Sequence, residues 1–386
     1  MKELATRIRT LKGSAIRRMV GKSYGMDNVI SFALGEPDFV TPPHIIDAAI
    51  KALKEGKTFY TPNAGIPALR DAIADSYVKR GMSYTRDNVI ITVGGTEALL
   101  LSALTLFDEG DEVIVSNPYW ANYVGLATEM YATPVLVDVD EKNDFMFDPE
   151  ELEKAITPKT KAIMMNFPSN PTGALATREN LEAIAKIAVA HDLYVITDEM
   201  YHRLLYTDDA FVSLAEMPGM KERAVIVDGF SKTYAMTGWR IGYAVGNKDV
   251  IAGMIKMQES AVSCVFEPVQ LAALAAITGD QQPVADMLKK YKERRALILN
   301  GLNTMMDGKI TCREPLGAFY VFPNITKTGL SSEEFCNRLL EEQHVVAVPG
   351  TGFGSNGEGF VRLSYATSEE KIREGLLRIQ SFIRSL

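Results

Sequence analysis

Short apolar runs alternate along the chain with longer stretches in which apolar residues recur at helical spacing. Runs of the first kind are typical of buried strands, and stretches of the second kind are typical of amphipathic helices. Before residue 250, strands are predicted at 89–93, 112–116, 133–139, 162–166, 193–197, 224–228 and 241–245. Helices are predicted at 45–53, 68–79, 149–156, 179–190, 283–299, 331–342 and 368–386. This alternation predicts an α/β layered fold with a mostly parallel sheet flanked by helices.

A second group of short strands predicts a smaller α+β unit. These strands are predicted at 30–34, 319–322, 345–350 and 360–366, with turns between them. A chain of 386 residues is too long for one small core and suits two domains. Residues 1–30 are polar and basic with a few apolar positions, and they are interpreted as an arm or short helix that packs on another part of the protein, or as a frayed terminus.

Composition narrows the class of protein. The formal net charge of −8 argues against a nucleic-acid partner or an anionic membrane surface. The three cysteines are far apart, so neither a disulfide framework nor a metal site is expected, and a reducing cytoplasm is the better interpretation. The four histidines are also scattered. The first residues lack the apolar segment of a signal peptide, and no apolar run approaches membrane-spanning length.

The candidate chemistry centres on a lysine that follows the predicted strand 224–228. Lys232 is preceded by Ser231 and followed by Arg240 within a Gly-x-Arg-x-Gly sequence. A lysine that is shielded from water on a rigid element has a lowered pKa and becomes a nucleophile toward carbonyl groups. Serine and arginine are residues that hold a phosphate. A carbonyl cofactor that carries a phosphate is pyridoxal 5′-phosphate.

Other polar residues follow or interrupt the predicted strands. Glycines 94 and 95 open a helix, whose free N–H groups form a ready anion site. Asn170 precedes a proline, which forces it into an extended geometry. Arg362 interrupts an apolar strand, so a buried guanidinium there needs an anionic partner or a function. Each residue alone also has an ordinary interpretation: a surface lysine, a core aromatic or a structural ion pair. Only their combination favours a site.

The stretch from Gly229 to Gly242, together with the other motifs in order, resembles the lysine segment and site motifs of class I/II aminotransferases of the aspartate aminotransferase superfamily. The resemblance covers nearly the whole chain. It implies fold type I, with a large domain at 45–278 and a small domain that combines residues 1–44 with residues 279–386. It also implies a transaminase that uses pyridoxal 5′-phosphate to move the α-amino group of an amino acid to a 2-oxo acid.

The resemblance assigns the residues that contact the cofactor ring. Lys232 holds the cofactor as a Schiff base, then acts as the base at Cα and as the acid at C4′. Asp198 keeps the pyridine nitrogen protonated, so that the ring is an electron sink. Tyr201 and Asn170 bond the phenolic oxygen, and Trp120 stacks on the ring.

The resemblance also assigns the phosphate ligands and the substrate ligands. Gly95, Thr96, Ser231 and Arg240 surround the phosphate, and Tyr60 reaches it from the partner subunit of a homodimer. The substrate carboxylate lies against the backbone of Gly35 and the amide of Asn170, beside Trp120, and is gripped by the fork of Arg362. The N-terminal arm either crosses to the partner or folds onto the small domain.

Two alternatives remain open at this point. A carbon–sulfur β-lyase shares the fold, but lyases of that branch commonly carry histidine where this chain has Ser169. A catalytically silent protein of the same fold that serves as a binding or regulatory module is the second alternative, although every catalytic position is filled.

The amino-acid donor is left open by the sequence. The segment 251–270, which faces the partner's site in the family, contains no arginine, and Thr96 stands where some aspartate-specific relatives carry lysine. Both absences put aspartate in doubt, and aromatic, alanine-like and methionine-like donors stay open. The acceptor expected from the family is 2-oxoglutarate.

Overall fold

The computed structural model describes residues 2–11 and 13–386, so Met1 and Lys12 of the predicted arm lie outside the described residues. Its strands are β1 Ile30–Ser31, β2 Val89–Thr92, β3 Glu112–Asn117, β4 Thr133–Asp138, β5 Thr160–Asn166, β6 Tyr194–Asp198, β7 Ala224–Gly229, β8 Gly242–Gly246, β9 Tyr320–Val321, β10 Val345–Val346, β11 Val348–Pro349 and β12 Val361–Ser364. Its α-helices are α1 Thr6–Thr10, α2 Ala15–Lys22, α3 Pro43–Lys54, α4 Pro67–Val78, α5 Gly94–Leu106, α6 Asn122–Glu129, α7 Pro149–Lys154, α8 Arg178–Ala190, α9 Lys248–Ala261, α10 Glu267–Thr278, α11 Gln282–Thr304, α12 Ser332–Gln343 and α13 Glu369–Ser385.

A seven-stranded sheet forms the centre of the larger part of the chain. Its strand order is β2-β8-β7-β6-β5-β3-β4. The pairs from β4 across to β7 are all parallel, whereas β8 is antiparallel to both β7 and β2. The residues of β2, β7 and β8 are buried throughout, as expected for strands covered by helices on both faces. The predicted mostly parallel α/β fold is therefore confirmed.

Parallel strands bring their carboxyl ends to one edge of this sheet. The strands β3, β5, β6 and β7 end there, at Asn117, Asn166, Asp198 and Gly229. Ligands of open α/β sheets bind outside these carboxyl ends, where the loops leave the sheet. The topology therefore predicts a site at this edge from the backbone alone.

The C-terminal part of the chain forms a smaller layer. Strands β11, β12 and β9 form an antiparallel sheet. Helix α12 packs on β11, and α13 packs on both α12 and the long helix α11. Strand β1 pairs in parallel with β10, and Asp38 accepts two hydrogen bonds from Arg294 of α11, at 2.7 and 2.9 Å. These contacts attach the N-terminal segment to the C-terminal layer. They support the division at residues 45 and 279, which stays a prediction.

Several helix ends lie where the sequence predicts them. Ser331 and Ser368 cap α12 and α13 through their side chains. The predicted strands 30–34 and 319–322 are shorter than expected and contain only two residues each. The second of these strands ends early because Pro323, which has no N–H to donate, follows Phe322 directly. Helix α6 is not predicted by the sequence pattern.

Two observations concern sites that the sequence analysis considered. Within residues 2–11 and 13–386, none of the helices combines the length and the apolar character needed to cross a bilayer. The same residues contain no group of three or more His, Cys, Asp or Glu side chains placed to hold a metal ion.

Candidate functional site

A cavity of 370 Å³ opens at the carboxyl edge of the large sheet, between the sheet and the C-terminal layer. The side chains and backbone around it come from four sources: the N-terminal segment, α5, the loops after β3, β5, β6 and β7, and the strands β9 and β12. Its lining consists of Ser14, Ile16, Arg17, Leu34, Gly35, Gly95, Thr96, Leu99, Trp120, Ala121, Asn122, Asn166, Asn170, Asp198, Met200, Tyr201, Ser231, Lys232, Arg240, Tyr320 and Arg362. The structure thus brings together every site residue predicted from the sequence except Tyr60.

Lys232 lies in the loop that leaves β7. Its Nζ donates a hydrogen bond of 2.6 Å to the backbone carbonyl of Gly35. Burial lowers the pKa of this amine to about 8, an effect that nearby Glu36 opposes and that the positive charge of Arg240 reinforces. A lysine whose pKa is this low is partly neutral near pH 7, which is what attack on a carbonyl carbon requires.

Asp198 is the last residue of β6 and is buried. Its Oδ2 accepts a 2.8 Å hydrogen bond from the hydroxyl of Tyr123, and its Oδ1 accepts a 3.1 Å bond from the backbone N–H of Met200. Burial raises the pKa of the carboxyl to about 6, although both hydrogen bonds favour the charged form and oppose this rise. A buried carboxylate of this kind is stabilised further by a cationic N–H group, such as a protonated ring nitrogen.

Gly94 and Gly95, at the start of α5, pack closely against neighbouring residues, and the part of the cavity wall at Gly95 is called the cradle below. A Cβ atom on Gly95 would lie 2.5 Å from Met200 Cε, and one on Gly94 would lie 2.4 Å from Arg240 Nη2. A Cβ on Gly242 of the neighbouring strand would lie 2.6 Å from the backbone nitrogen of Gly95. The N-terminus of α5, Arg240 and the strand β8 therefore meet closely, and the N–H groups of the first helical turn face an anion site.

Ser231 and Thr96 complete this cradle. Ser231 is buried, and its hydroxyl forms no hydrogen bond with any residue that the structure describes. Both side chains line the cavity next to Arg240. Hydroxyl groups, a helix N-terminus and a guanidinium form the donor set that a phosphate group requires.

Arg362 in β12 is 1% exposed and has no carboxylate partner in the described residues. Its Nη1 donates to Asn170 Oδ1 at 2.9 Å, its Nη2 donates to the carbonyl of Ala33, and its Nε is buried without a partner. The guanidinium lies over the ring of Tyr320, with the centroid at 4.5 Å. A buried cation without a counter-ion is costly, so this position fits an anionic group of a ligand.

Asn170 lies in the loop that follows β5 and contacts Arg362. Its backbone N–H donates to Asn166 Oδ1 at 2.7 Å, and its own Oδ1 accepts from Arg362. The amide NH₂ donates to no described residue and remains available for a ligand oxygen. Trp120 also lines the cavity and is half-buried, edge-on to Tyr123 with ring centroids 5.4 Å apart.

The hydroxyls of Tyr201 and Tyr320 form a 2.9 Å hydrogen bond inside the cavity wall. Burial raises the pKa of Tyr201 well above its ordinary value, so this phenol acts as a hydrogen-bond donor at neutral pH. A Cβ on Gly35 would lie 1.8 Å from Tyr320 Oη, so the backbone of Gly35 reaches the site only because this residue has no side chain.

Sequence reasoning missed three side chains that line the cavity or contact Asp198. Tyr123 belongs to a helix that the apolar pattern does not predict, and Tyr320 was interpreted only as part of a strand. Arg17 belongs to the segment that was interpreted as an arm. For Tyr320, the presence of a phenol within an apolar strand was a usable signal. For Tyr123 and Arg17 no local signal exists, because only the tertiary fold brings Tyr123 to Asp198 and Arg17 to the cavity.

Tyr60 is 90% exposed and does not line the cavity of its own chain. Phe59, the preceding residue, is also highly exposed, at 82%. Exposed large apolar side chains near each other are typical of an interaction surface. The contribution of Tyr60 to a neighbouring chain stays a prediction.

The donor set fits a phosphorylated pyridine aldehyde. The helix N-terminus with Ser231 and Arg240 fits the phosphate, Lys232 fits the aldehyde, and Asp198 fits a protonated ring nitrogen. The buried Arg362 fits the carboxylate of a substrate.

Comparisons with known proteins agree with this geometry. The family model described as aminotransferase class I and II matches residues 27–379. An aspartate aminotransferase of Pyrococcus horikoshii is 42% identical over 98% of this chain and 96% of its own. An aromatic-amino-acid aminotransferase 2 of Thermococcus litoralis is 40% identical over 99% of this chain and 98% of its own. The solved structure of the aspartate aminotransferase of Thermus thermophilus with maleate has a TM-score of 0.93, is 40% identical and covers 100% of both chains.

Proposed function

Because the chain belongs to the class I and II aminotransferases, which depend on pyridoxal 5′-phosphate, we propose that Lys232 carries the cofactor and that the cavity transfers the α-amino group of an amino acid to 2-oxoglutarate. The transaminase and the cofactor predicted from the sequence are confirmed at the level of the family. One observation carries the proposal for the site: a buried amine with a pKa of about 8 shares one cavity with a buried carboxylate and a buried, unpaired guanidinium.

Each residue has a role that follows from its surroundings. When bound, pyridoxal 5′-phosphate supplies an aldehyde that takes up the amino group and a pyridinium ring that accepts electron density from Cα. Arg362 and the NH₂ of Asn170 bind the substrate α-carboxylate and orient Cα toward Lys232. The amine of Lys232 then removes the proton from Cα. Asp198 keeps a proton on the ring nitrogen, and Tyr123 holds Asp198 in its charged form.

The phosphate end and the ring faces are held by other residues. Ser231, Thr96, Gly95 and Arg240 bind the phosphate at the N-terminus of α5. Tyr201 donates a hydrogen bond to the phenolic oxygen, and Trp120 covers one face of the ring. These residues would hold the cofactor at its phosphate, at its phenolic oxygen and on one face of its ring.

The proposal extends to assembly and location. Tyr60 completes the phosphate site of a second copy of this chain in a homodimer, which its 90% exposure supports. The cytoplasm is the proposed location, supported by three cysteines that are all free in the structure.

The site assignment is tested by borohydride reduction of the cofactor-loaded protein, followed by peptide mapping. We expect a reduced adduct on Lys232 and on no other lysine. In parallel, glutamate is mixed with the loaded protein, and the change in cofactor absorbance and the release of 2-oxoglutarate are followed. An adduct on another lysine, or release of pyruvate from cystathionine in place of amino transfer, contradicts the proposal.

A further inference from the structure

Arg17 is a cationic side chain in the cavity wall. None of the roles described above is assigned to it. The lining contains four cationic side chains but only one acid, Asp198. Three of these cationic side chains have ligand groups assigned to them in the proposed function. Arg240 binds the phosphate, Arg362 binds the α-carboxylate and Lys232 reacts with the aldehyde. Arg17 forms no ion pair with any residue that the structure describes, so its charge is available to a ligand.

The orientation of α2 explains why Arg17 lies at the cavity. Ala15 and Met19 are buried, and Ala15 packs so closely on Gly352 that a Cβ there would lie 2.5 Å from the Ala15 Cβ. Arg18 forms an ion pair with Glu333, which fixes the same side of α2 to α12. With about 100° between successive residues of a helix, Arg17 lies on the side opposite to Ala15 and Met19.

Two neighbouring arginines therefore face different spaces. Arg17 lines the cavity that contains Lys232, whereas Arg18 lines a separate cavity together with Glu333. The helix is held in register by Ser14, whose Oγ caps it by accepting the backbone N–H of Arg17 at 3.4 Å. Lys22 donates to Asn337 Oδ1 at 2.7 Å and ties the last turn of α2 to α12.

The other positions from which a cation could reach a substrate side chain are neutral or lie elsewhere. Thr96 is uncharged, the segment 251–270 contains no arginine, and Lys256 in that segment does not line the cavity. Arg362, which lines the same cavity, is assigned to the α-carboxylate in the proposed function. A second carboxylate on the substrate therefore meets one unassigned cation of the same chain, which is Arg17.

We propose that Arg17 binds the distal carboxylate of dicarboxylic amino acids and 2-oxo acids, from the same chain that carries Lys232. The proposal rests on the proposed transaminase function and adds the residue that sets its substrate class. A guanidinium presents a planar fork that matches a carboxylate, so Arg17 and Arg362 hold the two ends of one substrate. Because Arg17 is exposed, it can leave for solvent when an apolar side chain enters the cavity.

The first test compares Arg17→Ala with Arg18→Ala, which removes the same charge from the adjacent residue. The kcat/KM of the half-reaction is measured with glutamate and with phenylalanine. For Arg17→Ala we expect the value for glutamate to fall about tenfold and the value for phenylalanine to stay within about twofold. Arg17→Lys should recover part of the loss. Arg18→Ala should leave the ratio of the two values unchanged.

The second test measures binding without turnover. Maleate, a dicarboxylate that carries no amino group, is titrated into the loaded wild-type protein and into both variants by calorimetry, with propionate as the monocarboxylate control. Arg17→Ala should weaken maleate binding about tenfold and leave propionate unchanged. Added sodium chloride should weaken maleate binding to the wild-type protein more than binding to Arg17→Ala.

The outcomes separate this inference from the proposed function. If the wild-type protein converts no amino acid and borohydride does not label Lys232, the proposed function is wrong. If the wild-type protein converts glutamate and Arg17→Ala has the same glutamate-to-phenylalanine ratio, the function stands and the role of Arg17 is wrong. Equal losses for both substrates, or a wild-type protein that converts phenylalanine and not glutamate, also overturn the role of Arg17.

Discussion

The two ends of the cavity are built from different kinds of structure. At the sheet end, Asp198 and Lys232 follow buried parallel strands, and burial shifts both of their pKa values. At the entrance, Arg17 projects from the eight-residue helix α2 and is exposed to solvent. In the proposed function, the reaction therefore depends on buried groups, whereas the proposed choice of substrate depends on an exposed group. This difference predicts how variants at the two ends should behave.

The largest effect is expected at the sheet end, for Lys232→Ala. Loss of the amine removes both the attachment point and the base at Cα, so amino transfer should fall by about a thousandfold or more. The loss should be the same for glutamate and phenylalanine, because the base acts on an atom that both share. Steady-state assays with both donors measure it. A loss of activity with only one of the two donors would contradict the proposed difference between the sheet end and the entrance of the cavity.

The next effect is expected for Arg362→Gln, at the wall of the cavity. The variant removes the partner of every substrate α-carboxylate, which costs roughly 2–5 kcal/mol and lowers kcat/KM by about thirty- to several-thousandfold. All donors should lose activity by a similar factor, unlike with Arg17→Ala. The thermal unfolding temperature of the ligand-free protein should change little, because the guanidinium is buried without a counter-ion. A large fall in that temperature would show that Arg362 is chiefly structural.

The pH dependence of cofactor uptake tests the environment of Lys232 directly. Only the neutral amine attacks the aldehyde, and burial lowers its pKa to about 8. The uptake rate of the cofactor-free protein should therefore rise about tenfold per pH unit between pH 6 and 7 and level off above about pH 8. Stopped-flow absorbance measures the rate. A rate that continues to rise beyond pH 9 would mean that the amine has the pKa of an exposed lysine.

The smallest effect is expected for Tyr123→Phe, which removes one hydrogen bond from Asp198. This bond favours the charged carboxylate, so its loss should raise the pKa of Asp198 above its present value of about 6. A hydrogen bond to a charged group contributes about 1.5–3 kcal/mol, so the shift should be about one to two pH units. Activity should fall more at pH 6 than at pH 8. A pH–rate profile with an unchanged acid limb would contradict a positioning role for Tyr123.

The same contrast explains what could be predicted from the sequence. Lys232, Asp198 and Asn170 each follow an apolar run, and the carboxyl ends of parallel strands converge, so their meeting was predictable. Arg362 was predictable because a charge inside an apolar strand requires a partner. The fold followed from the alternation of strands and helices for the same reason, since burial imposes a period on the sequence.

The rest depends on tertiary packing. Tyr123 contacts Asp198 from a helix that shows no clear period in the sequence. Arg17 reaches the cavity because α2 packs on β11 and α12, which lie more than 300 residues later in the chain. The predicted partner of Tyr60 belongs to a second chain, so no pattern within one chain determines it, and the role of Tyr60 stays a prediction.

The glycines around α5 have a consequence for the evolution of the enzyme. Gly242 has no room for a methyl group, since its Cβ would lie 2.6 Å from the backbone of Gly95, and Gly94 has a φ of +77°, which residues with a side chain rarely adopt. A substitution at either position would strain the backbone, whichever amino acid is the substrate. On α2, by contrast, exposed positions accept many side chains at little cost in folding free energy. Substitutions on α2 can therefore change which amino acid serves as the nitrogen donor, while the residues around Lys232 stay the same.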